Sequence, residues 1–99
     1  SETLKKIEDI VQSIDGVEDV GAIRTLYFGP NNLLVNIDVN FHDDMTAEQV
    51  DIVVSQIEAA IKNKYPQAKQ IYIETASDQD IKDFDKLEST RLHRNRENI

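Results

Sequence analysis

Apolar positions along the chain follow first a helical period, then a strand period, then each once more. Leu4, Ile7, Ile10, Val11 and Ile14 fall at helical spacing and so share one face of a helix. Asp15 and Gly16 predict its end, because glycine takes the left-handed conformation that closes a helix at little cost. After Val20 the residues become β-rich from Ile23 to Phe28, and Gly29-Pro30-Asn31-Asn32 follows. Pro30 presets a turn dihedral and asparagine tolerates positive φ, so a hairpin turn is predicted there. From Leu34 the alternation is strict. Val35, Ile37, Val39 and Phe41 point one way and Asn36, Asp38, Asn40 and His42 the other, which predicts a strand with one buried and one wet face.

The helical period then returns. In Met45-Thr46-Ala47-Glu48-Gln49-Val50, Thr46 is a helix cap, Gln49 completes a capping box, and Met45 is placed to staple onto Val50. Val50, Val53, Val54, Ile57, Ala60 and Ile61 make the apolar stripe, and Pro66 stops the helix just beyond Tyr65. Ile71 and Ile73 alternate with Tyr72 and Glu74 in a third strand, and Ser77 with Asp80 predicts the cap of a short last helix carrying Ile81, Phe84 and Leu87. The order is α-β-β-α-β. A strand-helix-strand passage of this length makes a right-handed crossover, which lays the third strand parallel within the same sheet. The fold class expected is α+β, a two-layer sandwich with both main helices on the apolar face of a three-stranded mixed sheet.

Composition narrows the function. The 99 residues fit one domain with a single core, expected over residues 1–90, and no apolar run reaches the ~18 residues of a membrane span. This piece is therefore expected to be soluble, without direct membrane insertion. Cysteine is absent, which removes disulfide scaffolds, thiolate zinc sites and cysteine nucleophiles. A formal net charge of −8 repels phosphate backbones, so nucleic acid is not an expected partner. Arg91, His93, Arg94 and Arg96 crowd the last nine residues, and 91–99 reads as a basic, frayed tail outside the core. An interaction arm for an acidic partner is the alternative use of that tail.

No glycine-rich phosphate loop, GxSxG elbow or HExxH spacing occurs, and two histidines without cysteine supply no nucleophile-base constellation. The chain does not read as an enzyme. The wet strand face is more informative, since Asn36, Asp38, Asn40 and His42 form a ladder and the crossover puts Glu74 on the neighbouring strand. Such oxygen and imidazole ligands suit hard or borderline divalent ions and not Cu(I). A merely hydrated sheet face is the alternative. Asp38 and His42 are four residues apart on one strand, about 13 Å at about 3.3 Å per residue, so one ion cannot bridge them. The candidate ligand sets are Asp38 with Glu74, or His42 with Asp43, Asp44 or a residue of a second protomer.

The segments Asp15-Gly16-Val17-Glu18-Asp19-Val20 and Ile23-Arg24-Thr25-Leu26-Tyr27-Phe28-Gly29-Pro30 resemble the C-terminal cytosolic domain of cation diffusion facilitator transporters. In that family a GV.dV turn leads to a strand with RT, a glycine turn and a second alternating strand. The similarity continues through Leu34 to Phe41, the Met45-Thr46 cap, the helix ending near Tyr65-Pro66 and Ile71-Tyr72-Ile73-Glu74, covering roughly residues 4 to 76. The resemblance implies a metallochaperone-like, ferredoxin-like fold that forms a homodimer at the cytoplasmic face of a membrane. It implies too that transmembrane helices of the same polypeptide precede Ser1 and export divalent ions from the cytosol. Metal bound between or within two such domains then favours the transport-competent dimer.

One departure bears on the metal. Zinc-binding members often carry histidine in the middle of the second strand and at the end of the third, where this chain has Asp38 and Glu74. Losing imidazoles weakens zinc and leaves manganese, iron or a structural role open. The metal candidates are Asp38, His42, Asp43, Asp44 and Glu74. A free-standing small-molecule or metal sensor of ferredoxin-like fold is the alternative function.

Overall fold

The computed structural model describes residues 1–75, which form α1 (Glu2–Gln12), β1 (Val17–Tyr27), β2 (Leu33–Phe41), α2 (Ala47–Lys64) and β3 (Ala68–Thr75). The α-β-β-α-β order is the one the periodicity predicts. The short helix expected around Ile81, Phe84 and Leu87, the boundary at residue 90 and the basic tail 91–99 lie outside the described residues.

Helix α1 starts where the Ser1 hydroxyl accepts the Leu4 amide at 3.3 Å. It buries Ile7 and Val11 completely, while Ile10 and Ile14 flank them. It closes at Ser13, three residues before the predicted glycine. Gly16, at φ +101°, instead shapes the turn into β1. A β-carbon there would stand 3.0 Å from Val53 Cγ2 and 3.2 Å from Met45 Cε, so glycine is required by both backbone and space.

Strand β1 begins at Val17, six residues before the predicted start, and β3 begins at Ala68, three before Ile71. Both extensions contain register irregularities: Val17 to Asp19 and Val20 to Ile23 in β1, and the step opposite Leu33 and Leu34 in β3. Each bulge breaks the alternation that marks a strand in sequence. The hairpin turn also differs in detail. Gly29 is its residue at positive φ (+136°), and no non-glycine residue among those described has positive φ, so the asparagines are not used that way. Pro30 does occupy the predicted position, because the Asn32 amide donates to the Gly29 carbonyl at 3.3 Å around it.

Strand β2 is central, antiparallel to β1 and parallel to β3. Its Val35, Ile37 and Val39 are buried against Ile7 and Val11 of α1 and Val53, Ile57 and Ile61 of α2. Phe41, predicted on the same face, is half-buried at the strand's end. The capping box is formed: the Gln49 amide donates to Thr46 Oγ1 at 3.1 Å and the Thr46 amide to Gln49 Oε1 at 2.9 Å. With both helices on one face, the other face of the sheet is left without a helix among the described residues.

Candidate functional site

The open sheet face is ordered in rows by strand register. Arg24, Asn36 and Tyr72 form one row; Asp38 and Glu74 are partners in the next. At Asp38 the β1 side is bulged, and Gly21 lies there instead of a side chain. A β-carbon at Gly21 would stand 3.2 Å from the Asp38 β-carbon, so the glycine admits β1 against the carboxylate. Asp38 Oδ2 is 3.9 Å from Arg24 Nη1, which also donates to Asn36 Oδ1 at 3.5 Å. Asp38 Oδ1 is buried and accepts no hydrogen bond. A buried carboxylate oxygen without a donor is costly, and a cation is one species that offsets the cost.

A second feature lies where β2 and β3 end and β1 and α2 begin. There an open bay of about 850 Å³ has Phe41, Met45 and Val54 among its apolar walls and Glu18, Asp19, His42, Asp43 and Asp51 among its polar ones. The β2-α2-β3 crossover builds it, because α2 starts beyond the C-terminal end of β2 and places Asp51 on the same bay as His42.

The five candidate ligands are thus divided. Asp38 and Glu74 meet on the open face, as the crossover predicts; His42 and Asp43 line the bay; Asp44 is exposed and lines neither. Glu18, Asp19 and Asp51 were not among the sequence candidates. The first two were hidden by the bulged start of β1, whereas Asp51, in the second turn of the capped helix, was open to inference from the crossover. Among the described residues no three histidine, aspartate or glutamate side chains converge as a ligand set for one ion. The donors present are oxygen-rich and fit a hard or borderline divalent ion, but each set needs completion from outside.

Comparison with known proteins gives the same architecture. Residues 1–76 match the family model described as cation efflux protein, cytoplasmic domain. A search of curated protein sequences finds no match. Among solved structures, a nickel form of a MamM C-terminal domain variant superposes with TM-score 0.68 at 19% identity, covering 75% of this chain and 92% of that one. A cadmium form of another variant gives 0.69 at 17% identity, with 76% and 92% covered. A copper form of a third gives 0.68 at 18%, with 75% and 91% covered. These likenesses establish the metallochaperone-like fold.

Proposed function

Since the chain belongs to the family of cation efflux protein cytoplasmic domains, we propose that it is the regulatory and dimerisation domain of a transporter that exports divalent metal ions from the cytosol. It performs no catalysis of its own. The domain extends to about residue 90, and the transmembrane part of the same polypeptide is its principal partner.

The observation that carries the regulatory part is the Asp38–Glu74 couple, with one Asp38 oxygen buried and lacking a donor. Two carboxylates side by side repel, and a divalent cation reverses the sign of that interaction. Because no complete ligand set exists within the described residues of one protomer, the ion draws its remaining ligands from a second copy or from water. Binding then tightens the dimer, which is a population shift driven by higher affinity for the closed state. His42 and Asp43 in the bay are a second, weaker donor set, with Asp44 beside it in sequence. The nickel, cadmium and copper forms of the MamM domain support the reading that a domain of this fold accepts transition-metal ions. Oxygen donors favour manganese or iron over zinc here.

Calorimetric titration with manganese and zinc, repeated on Asp38→Ala and His42→Ala, tests the assignment. Loss of the main binding heat in Asp38→Ala is expected, with a smaller loss in His42→Ala. Equal heats and affinities in all three chains would leave a dimerisation element without a sensor of its own.

A further inference from the structure

The two ends of the sheet carry opposite electrostatic character. At the end where β1 meets β2, the chain has no aspartate or glutamate from residue 20 to 37, and none from 59 to 73 where α2 passes into β3. Those two stretches are neighbours in space, since the Leu33 amide donates to the Gln67 carbonyl at 2.8 Å and the α2–β3 turn packs beside the hairpin base. They contain Lys62, Lys64 and Lys69, all exposed, and Arg24, whose guanidinium is turned to Asp38 and Asn36. The opposite end carries the bay with Glu18, Asp19, Asp43 and Asp51. The eleven residues of β1 separate the two ends by about 30 Å at about 3.3 Å per residue. That is several times the screening length of about 8 Å at physiological salt, so a ligand at the basic end is largely shielded from the acidic one.

The same basic end projects apolar side chains into water. Leu26, Tyr27 and Phe28 are consecutive and 55%, 56% and 59% exposed, at the tip shaped by Gly29 and Pro30. With side chains of about 200 Å² each, they expose roughly 350 Å². A stable protein interface needs about 800 Å² per partner, so the tip is too small to hold a second protein by itself. A narrow aromatic tip at the same end of the sheet as three exposed lysines suits a different occupant. Aromatic rings partition to the headgroup level of a bilayer, and basic residues are drawn to anionic headgroups.

We propose that the hairpin tip Leu26–Phe28, with Lys62, Lys64 and Lys69, is a contact surface for anionic phospholipid headgroups. Phe28 and Tyr27 rest at headgroup depth with no segment crossing the bilayer. The bay and the Asp38–Glu74 couple, at and towards the acidic end, then face away from the lipid. This inference is independent of metal binding and stands or falls separately from it.

The full 99-residue chain has no tryptophan, so Phe28→Trp supplies a single emission reporter at the tip. Its emission is expected to shift to the blue on vesicles of phosphatidylcholine with phosphatidylserine, and not on phosphatidylcholine alone. Raised salt should reverse the shift. Lys62→Ala with Lys64→Ala should lower vesicle binding by roughly tenfold or more, since each basic residue near an anionic surface is worth about fivefold. Lys5→Ala, which removes a lysine already 3.3 Å from Asp9 on α1, should leave it unchanged. Because the basic tail is a competing lipid ligand, Arg91→Ala with Arg94→Ala and Arg96→Ala is the decisive comparison. Vesicle binding that survives this change but not the lysine change supports the tip. Binding lost with the arginines and kept without the lysines overturns it, as does the absence of any shift. A Phe28→Ser chain that loses self-association, with vesicle binding unchanged, reassigns the tip to a protein contact.

Discussion

Asp38 and Glu74 stand opposite each other on parallel neighbouring strands, thirty-six positions apart in sequence, on the sheet face that neither described helix covers. Gly21 faces Asp38 from the other side without a side chain. The carboxylate is thereby flanked by a second acid, a bare backbone and the Arg24 guanidinium at 3.9 Å.

Asp38→Asn should change the melting midpoint in chelator little and abolish any midpoint rise on adding manganese. The change relieves the repulsion between adjacent like charges but gives up the 3.9 Å pair with Arg24, and it removes the carboxylate proposed to hold the ion. Differential scanning calorimetry with and without metal checks both halves; a metal-dependent rise retained in the variant would place the ion elsewhere.

Thr46→Ala should destabilise the domain by about 0.5–2 kcal/mol, because the hydroxyl that accepts the Gln49 amide at 3.1 Å is lost. Urea unfolding gives the number. Gln49→Ala tests the reciprocal bond and should cost less, since the Thr46 amide it leaves lies at an exposed helix start.

The glycines should separate in cost. Gly16→Ala combines positive φ with a 3.0 Å approach to Val53, whereas a β-carbon at Gly29 meets nothing within 4 Å. Backbone strain of about 1–3 kcal/mol applies to both, and only Gly16→Ala adds displacement of Val53 and Met45. Unfolding midpoints that ranked Gly29→Ala as the more damaging would contradict the packing described.

Ile37→Ala should cost about 2–5 kcal/mol, the range for truncating a fully buried aliphatic side chain. Ile52→Ala, on the exposed side of α2, should change the midpoint little. Thermal melts of the two variants check the inward face of β2 directly.

Self-association follows from the family. Light scattering over a concentration series should show a dimer at high protein concentration, and the proposed Asp38–Glu74 site predicts that manganese tightens it. A strict monomer at millimolar protein would remove the dimerisation proposal for this chain by itself, leaving it only for the proposed tethered transporter, where linkage raises effective concentration.

Element order, the capping box and the Asp38–Glu74 neighbourhood were legible in the sequence, because each rests on a local signal or a topological rule. Strict alternation marked β2, Thr46 and Gln49 marked the start of α2, and crossover handedness fixed β3 beside β2. The first half of β1 was not legible. Its bulges interrupt the period of two, so Glu18 and Asp19 read as a polar turn when they are in fact a strand at the mouth of a bay. The bay itself depends on how the ends of four elements meet, and no local pattern encodes that. Likewise, the asparagines of the hairpin were read as left-handed residues because composition cannot say which of several permissive neighbours takes the strain; Gly29 does.

The two sheet seams differ in how far the chain must travel to make them. Strand β1 reaches β2 through the short turn at Gly29–Asn32, whereas β3 reaches it only after the whole of α2 has been laid down. Closing the longer connection costs more chain entropy, and an edge strand joined in this way opens at lower free energy than the central one. Glu74 therefore joins Asp38 only while the β3 seam is shut, and the ion proposed to be held by both carboxylates would act as a latch on that seam. The signature expected in hydrogen exchange is local: on adding the metal, amides of Ile71 to Thr75 that bond to β2 should slow first, and those of the hairpin should hardly change.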